Sequence, residues 1–176
     1  MNKINYKTKK ITRLPFHNKS AIPSSRINTL YTDNDGNLWI GSKDGLGIIT
    51  TKGDTMKLEK SSNVGKGLSD NNVLCFEEDK EGRIWIGTRN GGLNILNKSD
   101  FLLQKPNFSL KQYLPKNDGS SIYNRTVSSL KMDRDGNMWI GTSTGLNFVN
   151  PQGEPVKLLK RNIASLETLG HNRIGA

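Results

Sequence analysis

One cysteine, Cys75, and two histidines, His17 and His171, are all this 176-residue chain offers of the side chains best suited to nucleophilic or acid–base chemistry near neutral pH. A single cysteine excludes an internal disulfide, and its absence leaves the redox compartment open. In apolar strand surroundings such a thiol reads as an inert core residue. The histidines lie in ragged flanking segments far apart in sequence, and no nucleophile motif or phosphate-cradling glycine loop appears. Catalysis therefore has little support, and neither a cofactor nor a metal is expected. No apolar run approaches the roughly 20 residues that cross a bilayer. The amino terminus is basic but has no apolar stretch behind it, so it does not read as a signal peptide.

Hydrophobic residues make up only 33% of the chain, while 18 residues are glycine, a balance that favours short strands joined by many turns over helices. The net charge is +10, and residues 1–26 hold seven basic side chains (Lys3, Lys7, Lys9, Lys10, Arg13, Lys19 and Arg26) with no acidic one. A basic end can mark a nucleic-acid contact. Lysines that discourage edge-to-edge pairing along a solvated strand are the simpler reading, so nucleic acid is not the expected partner.

What the chain does have is one stretch in triplicate: Asp33-Asn-Asp-Gly-Asn-Leu-Trp-Ile-Gly41, Asp79-Lys-Glu-Gly-Arg-Ile-Trp-Ile-Gly87 and Asp133-Arg-Asp-Gly-Asn-Met-Trp-Ile-Gly141. A polar Asp-x-x-Gly turn leading into an apolar run is a hairpin signal, and its return makes this a repeat protein. A second ruler agrees. Ile22/Ile27, Leu68/Val73, Ile122/Val127 and Leu169/Ile174 are aliphatic pairs five apart, whose first members are separated by 46, 54 and 47 residues.

Each unit divides into four short strands. The first runs from Ile27, Val73 or Val127 to the aspartate. The second carries Trp-Ile-Gly and is apolar at consecutive positions, which implies burial on both faces. The third is Leu46–Ile49, Leu93–Leu96 and Leu146–Val149. The fourth is Met56–Leu58, part of Phe108–Leu114, and Val156–Leu159. In the first strand the shared apolar positions stand three apart (Ile27/Leu30, Val73/Phe76, Val127/Leu130), which calls for a bulge or burial on both faces. Gly41, Gly87 and Gly141 let a neighbouring sheet approach closely. Ile4–Tyr6 and Ile11–Leu14 read as a hairpin, and Asn94–Leu96 with Phe101–Leu103 as another.

Four strands with a period in the forties is the arithmetic of a β-propeller blade. The expected architecture is all-β: residues 1–20 end one blade, 21–66, 67–120 and 121–167 are three complete blades, and 168–176 begin another. The second blade carries about eight extra residues near 100–121 and an extra glycine in Thr88–Gly92, and insertions in repeat folds often serve binding faces. With both ends inside units, the chain reads as an incomplete propeller, a piece of a longer array. Its open blade faces are expected to leave it marginally stable alone, or to make it associate.

Trp39, Trp85 and Trp139 share one inner-strand slot, so they read as core packing and not as sugar-stacking platforms. The turns at Gly36, Gly82 and Gly136 lack the alternating ligands and distant glutamate of an EF-hand. They read as turns in which Asp accepts backbone N–H bonds and Gly adopts positive φ. The binding candidates lie on the loops joining second to third strands and blade to blade: Lys43, Asp44, Arg89, Asn90, Asn71, Asn72, Tyr123, Asn124 and Arg125. Arg89, Tyr123 and Arg125 suit acidic or hydroxyl-rich sugars through charge-assisted bonds and stacking.

The units resemble the two-component regulator propeller repeat on Val73, Asp79–Gly82, Trp85–Thr88 and Gly92–Asn94, and again on Val127, Asp133–Gly136, Trp139–Thr142 and Gly145–Asn147. The first unit departs at Ser42 and Gly47. The resemblance implies the periplasmic sensor region of a Bacteroides-like hybrid two-component histidine kinase, non-catalytic in itself. There it would respond to glycan fragments and switch polysaccharide-utilisation genes. It further implies a homodimeric parent receptor that supplies the remaining blades and the membrane anchor. The alternatives are a propeller lyase resembling the streptogramin-inactivating family, or a scaffolding or nucleic-acid-binding propeller.

Overall fold

The computed structural model describes residues 2–13, 22–105, 108–116, 121–150 and 157–159. His17, His171 and the Leu169/Ile174 pair lie outside these residues, as does Val156 at the expected start of a fourth strand.

A short antiparallel hairpin opens the chain, β1 (Asn2–Ile4) with β2 (Ile11–Arg13); its first strand lies earlier than the expected Ile4–Tyr6, because Asn5 Oδ1 accepts the N–H groups of Lys7 and Thr8 at 3.0 Å and starts the turn there. Three four-stranded antiparallel meanders follow. The first is β3 (Ile27–Thr32), β4 (Leu38–Ser42), β5 (Gly45–Ile49) and β6 (Thr55–Leu58). The second is β7 (Val73–Glu78), β8 (Arg83–Thr88), β9 (Leu93–Asn97) and β10 (Leu110–Tyr113), with α1 (Lys98–Leu102) between the last two strands. The third is β11 (Val127–Met132), β12 (Met138–Thr142), β13 (Gly145–Val149) and β14 (Lys157–Leu159). These are propeller blades, standing side by side through β3, β7 and β11. The three sheets form an open arc, an incomplete propeller.

The turn that starts each β-hairpin is built from its aspartate. Asp33 Oδ1 accepts the N–H groups of Asp35 (3.0 Å) and Asn37 (2.8 Å), and Gly36 closes the turn at φ +83°. Its other oxygen accepts the indole N–H of Trp39 at 2.9 Å. The same bond joins Trp85 to Asp79 (2.7 Å) and Trp139 to Asp133 (2.9 Å). The turn carboxylate thus anchors the largest side chain of the next strand, which explains why the spacing from Asp to Trp is invariant.

The second strands are buried on both faces. In β8, Ile84 and Ile86 join the core shared with the first blade, while Trp85 joins the core shared with the third. Phe76 packs between the aromatic rings of the first blade, 6.2 Å from Trp39 and 6.4 Å from Tyr31, centroid to centroid. The equivalent Leu130 packs back on the second blade and is 8% exposed, whereas Leu30, at that position in the first blade, is 53% exposed. Register shifts at Ile27/Thr29, Val73/Cys75 and Val127/Ser129 are the bulges that the three-residue spacing calls for. Cys75 sits in the second core, where burial pushes its thiol up to about 12, as an inert core cysteine should behave.

One strand expectation fails. Asn97–Leu103 is not a turn and strand. Asn97 caps a helix by accepting the Asp100 N–H at 3.2 Å. Its short polar side chain competes successfully with the ladder. Phe101 then drops into the first core against Phe108, 5.2 Å away edge to face.

Two predictions follow from this packing. A Cβ at Gly41 would stand 2.9 Å from Val73 Cγ1 and 3.0 Å from Phe76 Cε2, both on the next blade. Gly41→Ala should therefore cost about 1–3 kcal/mol in urea unfolding; an unchanged midpoint would refute the close-approach role. The second concerns Asp133, whose carboxyl is lowered from 3.8 to about 2 by bonds from the Asn137 side chain and the Trp139 indole. A carboxyl depressed in the folded state stabilises fully above its unfolded value and loses that contribution as pH falls towards its folded value. The stability gap between the native chain and Asp133→Asn should shrink as pH drops from 3.8 to about 2. A gap independent of pH in denaturant titrations would contradict this.

Candidate functional site

The loops joining second to third strands and those joining blades interlock along one face. In the first blade the Lys43 N–H donates to Arg26 O (3.1 Å), and the Gly45 N–H crosses to Asn71 O (2.8 Å) at the start of the second. In the second blade the Arg89 N–H donates to Asn72 O (2.9 Å), while Arg89 O accepts the Thr126 hydroxyl (2.6 Å) from the third. The Gly92 N–H donates to Arg125 O at 2.8 Å, and the Asn90 N–H to Asp70 Oδ2 at 2.9 Å. Each turn is closed by the hydroxyl ending its second strand: Ser42 bonds Gly45 O, Thr88 bonds Gly92 O and Thr142 bonds Gly145 O. Gly92 takes the place of Gly45 and Gly145, so the extra residue of this loop is Gly91, where a Cβ would press on Ser69 Oγ and stand 2.8 Å from Asp70 N, and only glycine fits.

The structure divides the sequence candidates in two. The side chains of Lys43, Asp44, Arg89, Asn90, Tyr123 and Arg125 are exposed above backbone that these bonds hold in place. Arg89, Asn90 and Arg125 are brought together where the second blade meets the third; Lys43 and Asp44 occupy the corresponding turn of the first. The three asparagines are engaged in the scaffold. Asn71 Oδ1 accepts the Lys60 N–H, Asn72 Oδ1 accepts the Asn28 amide, and Asn124 Oδ1 accepts the Thr126 N–H. The asparagine of the Gly-Leu-Asn strand is structural as well. Asn94 Oδ1 takes the Ser69 N–H (3.0 Å), and Asn147 Oδ1 takes the Tyr123 N–H (3.2 Å), which fixes where Tyr123 stands.

The main charge cluster of the described interior lies elsewhere. Lys98, the first residue of α1, is buried with its Nζ 2.6 Å from both Asp35 Oδ2 and Glu78 Oε1, and 3.8 Å from Asp33 Oδ2. Burial opposes the charge on Lys98, but the bonds from Asp35 and Glu78 outweigh it and raise the ammonium's pKa. Burial likewise pushes the Asp33 carboxyl up, and the bonds from Trp39 and Asn37, with Lys98 nearby, bring it below its usual range. Glu78 Oε2 also accepts the Asn34 N–H at 2.7 Å. With the buried Asp33 and Glu78 and the exposed Asp35 all converging on one ammonium, the cluster ties the first blade to the second. Sequence reading missed it because neither Glu78 nor Lys98 recurs in the other units.

Two clefts open away from the loop face, and none of the nine loop candidates lines them. One, of about 580 Å³, lies between the second and third blades over Trp85 and Tyr113, with Arg83 at its rim held by Asp79 (2.6 Å) and Glu81 (2.8 Å). The other, of about 520 Å³, lies between β6 and the helical insertion of the second blade.

Comparison with known folds places this architecture. An extracellular domain assigned to a hybrid two-component system of B. thetaiotaomicron superposes with a TM-score of 0.71 at 23% identity, covering 95% of this chain and 21% of its own. Another extracellular domain from that organism, assigned to a one-component system, gives 0.75 at 19% identity, covering 98% and 21%. Virginiamycin B lyase from Staphylococcus aureus gives 0.61 at 18% identity, covering 93% and 49%. At these identities the likeness establishes the propeller fold. The chain spans about a fifth of the length of the two-component and one-component structures. No curated protein matches the chain. Residues 21–44, 67–90 and 121–144, the start of each blade through its second-to-third-strand turn, match the two-component regulator propeller model, once in each blade.

Proposed function

We propose that the chain is a ligand-sensing segment of a two-component receptor, placed outside the cytoplasm and without catalysis of its own. The carrying observation is the loop face at the junction of the second and third blades. There Arg89 and Arg125 expose their guanidinium groups above backbone bonded to both blades, with Tyr123 exposed nearby on the third. Side chains presented from fixed backbone lose less freedom on binding, which favours affinity. Guanidinium groups pair with carboxylates through two parallel bonds, and a tyrosine ring stacks on the apolar face of a sugar. Acidic glycan fragments are the ligand class this arrangement fits.

Sensing needs a change that the ligand favours. A ligand gripping two blades together prefers one relative placement of those blades, and only such a differential affinity moves an equilibrium. In a homodimeric parent receptor that also holds the remaining blades, this shift would be read across the membrane as a change in kinase output. The extracellular domains that share the fold support the same placement for this chain.

Titration calorimetry with a panel of uronic-acid oligosaccharides tests the reading. Arg89→Ala combined with Arg125→Ala should weaken binding at least about tenfold, since a bond to a charged group contributes about 1.5–3 kcal/mol. Both side chains are exposed, so the unfolding midpoint should stay in place. Unchanged affinity would remove these residues from the site, and absence of binding across the panel would overturn the ligand class.

A further inference from the structure

The tip of the opening hairpin combines exposed apolar side chains with cations. Ile4 and Ile11 pair across β1 and β2 and are each 63% exposed. Tyr6, in the turn between them, is 84% exposed. Lys7, Lys9 and Lys10 complete the turn, and every residue from Ile4 to Ile11 is exposed. The turn holds its own shape. Asn5 Oδ1 accepts the Lys7 and Thr8 N–H groups, and the Asn5 N–H donates to Lys10 O at 2.9 Å. Lys9 adopts φ +55° and sets its Nζ 3.9 Å from the Tyr6 ring centre. These ammonium groups are not neutralised. The first acidic residue of the chain is Asp33, and among the described residues no carboxylate pairs with Lys7, Lys9 or Lys10.

We propose that this tip seats on an anionic lipid surface, with Ile4, Ile11 and Tyr6 among the headgroups and the three lysines against their phosphates. Both halves of the tip are needed for that choice. Cations alone would suit any polyanion, nucleic acid included. A paired aliphatic surface gains nothing from a phosphodiester backbone and much from the acyl boundary of a bilayer. A tyrosine, apolar in its ring and polar at its hydroxyl, suits the same interface. The lysine stems can lie along apolar surface while their ammonium groups stay at the phosphates. Each lysine near an anionic membrane strengthens attachment about fivefold, so three give about a hundredfold. The hold is reversible and screened by salt. It uses no residue of the loop face, so the sensor could rest on a membrane and still receive its ligand.

Vesicle flotation with the full chain tests the proposal. Vesicles of equal parts phosphatidylcholine and phosphatidylglycerol should carry the chain, vesicles of phosphatidylcholine alone should not, and added salt should release it. Replacing Lys7, Lys9 and Lys10 together by serine should weaken binding about a hundredfold. Ile4→Ser with Ile11→Ser should weaken it at least about tenfold. Tyr6→Ser, which leaves the strand pairing untouched, should weaken it severalfold. All these side chains are exposed, so the unfolding midpoint and uronic-acid binding at the loop face should not move. Equal binding to both kinds of vesicle would overturn the proposal. So would full affinity in both the isoleucine and tyrosine variants, because the tip would then be a general polyanion contact that duplex DNA fills as well. Binding to neither vesicle would also overturn it, and would leave the Ile4–Ile11 pair to a neighbouring strand of a longer array.

Discussion

The bond between a turn carboxylate and an indole N–H is the constraint on which the rest of the structure depends. One aspartate per blade orders the turn through one oxygen and anchors the tryptophan through the other. A buried indole N–H without a partner is costly, and a carboxylate accepts it strongly. The bond therefore fixes which way the large ring faces, and that face is the one the next sheet covers. Trp39 is fully buried by the second blade and Trp85 almost so by the third. Local turn chemistry thus sets the packing between sheets.

From that orientation the functional face follows. With Trp39 and Trp85 fixed, the residue two places on must be glycine, since a side chain there would strike the first strand of the next blade as well as that of its own. Val127 of the third blade and Cys75 of the second stand directly against Gly87 in this way. Close contact between sheets brings the second-to-third-strand turn of one blade within hydrogen-bonding reach of the next, as in the Thr126–Arg89 and Gly92–Arg125 bonds. The loop face is rigid because the core is tight, and its arginines are displayed from stitched backbone. Variation in function can then be carried by the exposed positions of these turns without disturbing the core.

What recurs could be read from the sequence, and what occurs once could not. The strand boundaries, the positive φ at Gly36, Gly82 and Gly136, the bulge in each first strand and the close approach at Gly41 and Gly87 all leave the same mark in successive units. Comparing the units reveals such features. Lys98 has no counterpart in the other blades, and its partners Asp33, Asp35 and Glu78 come from distant positions, so nothing local announces the tie. The apolar run Phe101–Leu103 reads in the sequence as a strand after a turn at Asn97–Asp100, while the capping side chain of Asn97 starts a helix at Lys98–Leu102. On the loop face, exposure separates Arg89 and Arg125 from Asn71, Asn72 and Asn124. Residue type alone could not do so, because an asparagine on a loop serves a ligand or its own backbone equally well.

A double-mutant cycle on Asp33 and Trp39 tests the central claim most directly. Urea unfolding of Asp33→Ala, Trp39→Phe and the double variant isolates the indole–carboxylate bond from the backbone bonds that Asp33 also makes. The two singles should sum to more than the double by about 1–3 kcal/mol, the range for a buried bond to a charged group. Additivity within about 0.3 kcal/mol would mean that the carboxylate and the ring act independently. The recurring Asp and Trp would then be separate turn and core residues, and the bond between them would not be what orients one blade for the next.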